Sequence, residues 1–213
     1  MTNDFQLRNA PSSTPTPASL KAFDLHANAG TDLWRKPATP TKPPVESDNA
    51  PSYLTTIPAS SFKAAQVTVN AQWTRLYDQG GLVFYFPSST GKTAWLKTGI
   101  EFYNNRANLS TVATPGSTTS DWGLVPLSAT KVTIRVEREE DGGKSGPSLW
   151  VYMLDDKGEK HAVREVTWAF ENASEGAALQ VGIYACRPTH QGNPEEDKEE
   201  LIVHFTDFDL VRA

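Results

Sequence analysis

The stretch TAWLKTGIEFYNN, residues 93 to 105, decides the fold. Read with the two-residue period of a β-strand, it has one face of Leu96, Thr98, Ile100 and Phe102 and another of Trp95, Lys97, Gly99, Glu101 and Tyr103. The first face is a core face. The second sets a cation and a carboxylate among aromatics, about 13 Å apart by strand rise, with a glycine between them. An absent side chain at Gly99 is expected to leave a hollow in which a ligand approaches the backbone closely. The same face also fits the solvent side of an outer strand, with Trp95 and Tyr103 as cross-strand packing.

The period of two extends along most of the chain. In AQVTVNAQW (65 to 73), Val67, Val69, Ala71 and Trp73 alternate with polar residues, and in KVTIRVERE (131 to 139) Val132, Ile134 and Val136 do the same. Further runs are GLVFYFP (81 to 87), LSTVAT (109 to 114), SLWVYMLDD (148 to 156), EVTWAF (165 to 170), LQVGIYACR (179 to 187) and LIVHFTDFDLVR (201 to 212). In the last, the apolar phase of Val203 and Phe205 shifts to Phe208 and Leu210, which predicts a β-bulge near Thr206-Asp207. Turn-rich segments separate the runs, among them SSTGK (88 to 92), TPGSTTSDWG (114 to 123), EEDGGKSGP (139 to 147) and DDKG (155 to 158). PASSF (58 to 62) reads as a short helical turn. Many short strands with such punctuation predict an all-β, two-sheet antiparallel sandwich.

Length and composition agree with one such domain. The 213 residues suit a single domain over 20–213, after a partly irregular segment over 1–19. Nine Phe, six Tyr and six Trp supply ample aromatic surface to bury or present. RKPATPTKPPVESDNAPS (35 to 52), bracketed by Trp34 and Tyr53, reads as an ordered proline-rich flap.

Charge and motifs exclude several functions. The net charge is -5, with no run of Lys or Arg to neutralise a phosphate backbone, so nucleic acid is not an expected partner. The first residues lack the features of a secretory signal and no stretch approaches eighteen apolar residues; a soluble, cytoplasmic protein without a membrane role is the expectation. The sequons at Asn108 and Asn172 are then read as chance. Cys186 stands alone, and His26, His161, His190 and His204 show no metal-site spacing, so no metal and no cofactor is expected. GGKS (142 to 145) has Arg138 where a phosphate loop needs glycine, which makes it a hairpin turn. There is no G-x-S-x-G elbow.

Other residues join the polar face of the opening strand. TRLYDQGG (74 to 81) sets Arg75, Tyr77 and Gln79 on one phase, and TSDWG (119 to 123) adds Asp121 and Trp122 in a loop. Aromatic walls with a few polar groups are the inventory of a small-molecule cleft. TDLWRKP (31 to 37), YDQGGLVFY (77 to 85), WLKTGIEFYNN (95 to 105), LSTVAT, SDWG (120 to 123) and VHFTDFDL (203 to 210) together resemble the family called regulation of enolase protein, over residues 20 to 212. The resemblance implies a concanavalin A-like jelly roll whose concave face binds ligands, with the proline-rich flap over or beside it. The chain departs at SDNAPSYL (47 to 54), where bacterial members carry a Gly-His pair. Its proline-rich style suggests a fungal member.

The candidate site then has Glu101, Lys97 and Asp121 as catalytic groups. Trp34, Tyr53, Arg75, Tyr77, Gln79, Trp95, Tyr103 and Trp122 would bind substrate. The leading expectation is a cofactor-free enzyme of small-molecule, specialised-metabolite biosynthesis. It would promote dehydration or elimination of an apolar or aromatic substrate, with cyclisation or cycloaddition of the product, using a carboxyl whose pKa burial has raised. A non-catalytic lectin-like or regulatory module is the alternative. Glycoside hydrolysis ranks third, because Glu101 has Tyr103 and Asn105, not acids, at i+2 and i+4 and would need Asp121 alongside.

Overall fold

The computed structural model describes residues 5–17, 19–87, 91–171, 173–174 and 176–213. The second sequon and most of the SSTGK turn therefore fall partly outside the described residues. Among the described residues fifteen strands run in chain order: β1 Gln6–Arg8, β2 Ala22–Ala27, β3 Leu33–Lys36, β4 Val45–Asp48, β5 Ser52–Pro58, β6 Phe62–Ala71, β7 Gln79–Phe86, β8 Ala94–Tyr103, β9 Arg106–Thr114, β10 Asp121–Pro126, β11 Lys131–Asp141, β12 Lys144–Leu154, β13 Lys160–Val166, β14 Ala178–Cys186 and β15 Leu201–Arg212. A 3-10 turn, Ala59–Ser61, lies within PASSF, and one short helix, α1, spans Pro194–Asp197.

Two antiparallel sheets form the sandwich. One has seven strands in the order β1-β5-β14-β7-β8-β9-β10, the other six in the order β13-β12-β11-β6-β15-β2. Their inner faces carry the alternating apolar sets, including Leu82, Phe84, Leu96 and Ile100 on one side and Val67, Val69, Ile134, Val136 and Phe205 on the other, all fully buried. The register shift between Thr206 and Asp209, with Asp207 at a φ of 56°, is the expected bulge and turns Phe208 into the core. EVTWAF stays in the ladder only to Val166; its remainder is a turn that folds Phe170 against Phe62.

The opening stretch forms β8 and the turn after it. Asn104 and Asn105 both adopt positive φ, 52° and 56°, and connect the paired Tyr103 and Arg106 in a two-residue hairpin of the I′ kind. Asparagine tolerates that backbone better than other side chains.

The flap exists, as an ordered hairpin of β3 and β4 laid on the outer face of the seven-stranded sheet. Beneath it Leu33, Ala50, Leu54, Val83, Tyr85, Trp95, Tyr184 and Cys186 make a second apolar cluster. Arg35 fastens the hairpin: its guanidinium lies 4.6 Å from the Trp95 ring centre and donates to the carbonyls of Thr93, Pro115 and Thr118 and to Glu46. Arg35 and Ser120 are also joined by two further bonds, Arg35 N–H to Ser120 Oγ and Ser120 N–H to Arg35 O. Both faces of β8 are consequently buried from Ala94 to Glu101, so its polar face is not a solvent face.

Candidate functional site

At the margin of the flap a cleft of about 330 Å³ is lined by Asp32, Trp34, Lys36, Tyr77, Glu101 and Trp122. The ladder explains why these residues meet. Gln79 on β7 lies opposite Glu101 on β8, and Ser110 on β9 lies opposite Gly99. Trp122 on β10 pairs in register with Val112, which puts it on the same face as Glu101. From above, Asp32, Trp34 and Lys36 alternate along β3 and its approach, while Leu33 and Arg35 point into the cluster below.

Glu101 sits at the bottom of the cleft and is 5% exposed. Its Oε2 accepts from Ser110 Oγ at 2.6 Å and from Trp122 Nε1 at 2.9 Å. Among the described residues no hydrogen bond reaches Oε1. Desolvation pushes the Glu101 carboxyl above its ordinary pKa, and the opposing pull of Lys97, Ser110 and Trp122 does not cancel it. This carboxyl holds its proton to higher pH than an exposed glutamate.

Lys97 is 2% exposed, and its Nζ donates to Gln79 Oε1 at 2.7 Å and to Asp32 Oδ1 at 3.1 Å. Burial works against the ammonium, but Asp32, Cys186 and Glu101 outweigh it, so the pKa moves up and Lys97 stays charged. Asp32 Oδ1 also accepts from Leu33 N–H at 2.8 Å, which fixes the carboxylate at the cleft wall.

The aromatic wall is a contact chain. The Tyr77 ring stacks on Tyr103 with centroids 5.9 Å apart, and Trp122 meets Tyr103, Tyr77 and Trp34 edge to face at 5.4, 6.1 and 6.3 Å. Tyr77 occupies left-handed backbone, φ 67°, in a turn closed by Asp78, whose carboxylate accepts from Thr74 N–H and Arg75 N–H. Arg187 holds the same carboxylate through Nε and NH2, both at 2.9 Å, with Asp78 and Arg187 0% and 2% exposed. A non-glycine residue kept in that conformation by a buried ion pair marks a place where the side chain's direction matters.

Four expected site residues lie elsewhere. Tyr53 pairs in register with Ile183, so it faces the core and packs on Phe5 and Phe23. Arg75 is buried against the loop after β14, donating to Glu196 O and Glu199. Asp121 opens β10 and alternates with Trp122, so it points to the other face and is bound by Arg164 of β13. Trp95 is sealed under Arg35, 1% exposed, and its buried Nε1 has no hydrogen-bond partner among the described residues. Gly99 also has a different reason from the one expected: a Cβ there would lie 1.9 Å from Gly80 O, and one on Gly81, opposite, 2.0 Å from Thr98 O. The glycines let β7 and β8 approach; they do not open a hollow.

Asp32, Lys36 and Ser110 were not singled out from sequence. The alternation Asp32, Trp34, Lys36 was the available signal, since Trp34 alone identifies the phase. Among the described residues no group of three or more His, Cys, Asp or Glu is placed to hold a metal, and no helix is long and apolar enough to cross a membrane.

Comparison with known proteins places the chain in a family of unknown function. An uncharacterized protein from Emericella nidulans, AN7484, is 38% identical over 185 residues, covering 86% of this chain and 82% of that one. A crystal structure of a functionally unknown protein from Saccharomyces cerevisiae matches with a TM-score of 0.72 and 26% identity, over 100% of this chain and 98% of that one. The GH43 protein BlXynB from Bacillus licheniformis, as its K247S mutant, shares the fold at a TM-score of 0.67 and 16% identity, with 99% of this chain on 37% of that one. The family model for proteins of unknown function named DUF1349 matches residues 8–212, and the chain belongs to that family.

Proposed function

We propose that the cleft is the active site of a cofactor-free lyase or dehydratase acting on a small planar, largely apolar molecule, with Glu101 as the acid. The observation that carries this reading is the buried Glu101 carboxyl, raised in pKa and facing an aromatic-walled cleft. Trp34, Tyr77 and Trp122 hold the substrate plane. Glu101 gives its proton to a hydroxyl of the substrate, the C–O bond breaks with its electron pair leaving on water, and the carboxylate takes a proton back from a conjugated position. Lys97, kept charged by Asp32, stabilises the transient Glu101 carboxylate through space and anchors Gln79 beneath the substrate. The dehydrated product carries a new conjugated double bond, so cyclisation or cycloaddition within the same walls is open to it, as in specialised-metabolite biosynthesis.

A second reading keeps the same ligand surface without chemistry: a lectin-like or regulatory module of the kind the regulation-of-enolase name describes. Its support is the aromatic wall beside carboxylates, which suits a sugar ring as well as an arene. Hydrolysis of glycosides would need Asp32, not Asp121, as partner to Glu101, and Asp32 is engaged by Lys97. Thermal-shift panels of aromatic and terpenoid alcohols and of sugars, followed by mass spectrometry for loss of water, separate the readings. Glu101→Gln should retain binding and lose turnover. Turnover unchanged in that variant overturns the proposal, and binding without any turnover of the bound compounds favours the module.

A further inference from the structure

On the other side of the sandwich, the solvent face of the six-stranded sheet has a hollow of about 480 Å³, larger than the cleft. We propose that it is a second binding site, independent of the first, for a neutral saccharide. The two sites share no residue.

The floor is made by small Ala64 of β6, which lies in register with Glu137 of β11, itself opposite Trp150 of β12. One register step along, Arg135 is opposite Tyr152, so Trp150 and Tyr152 stand side by side on the same outward face, centroids 6.3 Å apart and planes within 22°. Neither ring is part of the core cluster. Lys160 Nζ lies 4.9 Å from the Tyr152 ring centre, so the fold uses part of that ring, and both rings line the hollow on the wet side of the sheet.

The charges of the lining identify the ligand class. Lys63, Arg135 and Arg138 are balanced by Glu137, Glu139 and Glu140. Lys63 is paired with Glu140, Arg135 and Lys160 both with Glu137, and Arg138 donates to the carbonyls of Ala59 and Gly146 with its guanidinium 3.9 Å from the Phe170 ring centre. Lys63, Arg135, Arg138 and Lys160 are each already engaged within the fold, so none of them stands free to gather a phosphate or a uronate. What the hollow offers is a rim of alternating donors and acceptors beside an aromatic wall. A neutral polyol matches both, because each hydroxyl donates and accepts while the C–H face of the ring rests on the aromatic surface.

The experiment is titration of the full chain with cellohexaose, xylohexaose and laminarihexaose, followed by tryptophan fluorescence and by amide chemical shifts. Saturable binding of at least one is expected, with the shifts on β11 and β12. Trp150→Ala should weaken it by about tenfold or more, the scale on which a truncated aromatic anchor acts. Tyr152→Ala should weaken it too, and serves alone if Trp150→Ala does not fold. Trp122→Ala, in the cleft, should leave it unchanged. The proposal is overturned by no binding of any of the three, by binding that both β12 variants retain, by binding lost in Trp122→Ala instead, or by tighter binding of an oligouronate than of the neutral oligomers. None of these outcomes bears on turnover at Glu101.

Discussion

Arg187–Asp78 and Lys97–Asp32 are both ion pairs built on nearly buried cations, and they differ in what their carboxylates still have to do. Asp78 is 0% exposed and both its oxygens are taken, by two nitrogens of Arg187 and two backbone N–H groups. Asp32 has a side chain 23% exposed and opens on the cleft. A closed pair of the first kind serves geometry: it sets the turn that holds Tyr77. The second keeps a cation charged beneath a ligand site, where it acts on Glu101 without touching it.

Breaking the closed pair should have the largest effect. Asp78→Ala leaves the buried Arg187 guanidinium with no carboxylate but that of Glu199, 3.8 Å away, and a loss of about 3–5 kcal/mol is expected in urea unfolding. Lys97→Met should cost less, about 1–3 kcal/mol, because Asp32 retains Leu33 N–H and contact with water. Yet Lys97→Met should depress turnover more than stability, which a rate and a melting curve on one preparation would reveal. If the two pairs cost the same, the contrast between them fails.

Glu101→Gln sharpens the contrast through pH. A carboxyl with a raised folded-state pKa contributes stability that is present below the unfolded pKa and is lost as the pH rises through the folded one. The glutamine oxygen can still accept from Ser110 and Trp122. The variant should therefore melt higher than the parent at neutral pH, with the gap closing as the pH falls below the ordinary glutamate range, while turnover is lost. Calorimetry across pH checks the sign. Tyr77→Gly should move stability least: relief of left-handed backbone, about 1 kcal/mol, opposes loss of ring contacts worth about as much. Ligand affinity should fall all the same.

What sequence could reveal here follows the reach of its signals. The period of two is local, and it identified both sheets' inner faces and the bulge near Thr206-Asp207. SDW has the composition of a loop, which hides its one-residue alternation: as strand β10, it sends Trp122 to the cleft and Asp121 away. Tyr53 looked like the edge of a flap, but its pairing with Ile183 turns it inward. Asp32 approaches Glu101 only because β3 crosses over a sheet whose strands come from much later in the chain. No spacing within the sequence records that crossing.

The fastening of the hairpin by Arg35 has a consequence for the order of folding. Its carbonyl acceptors lie 58, 80 and 83 residues further along. Contacts at such separation carry the loop-closure entropy of everything between, so they close after local hairpins such as the one at Asn104 and Asn105. The cleft is complete only when those separations are closed. A ligand bound there would report, and by mass action favour, the fully assembled chain.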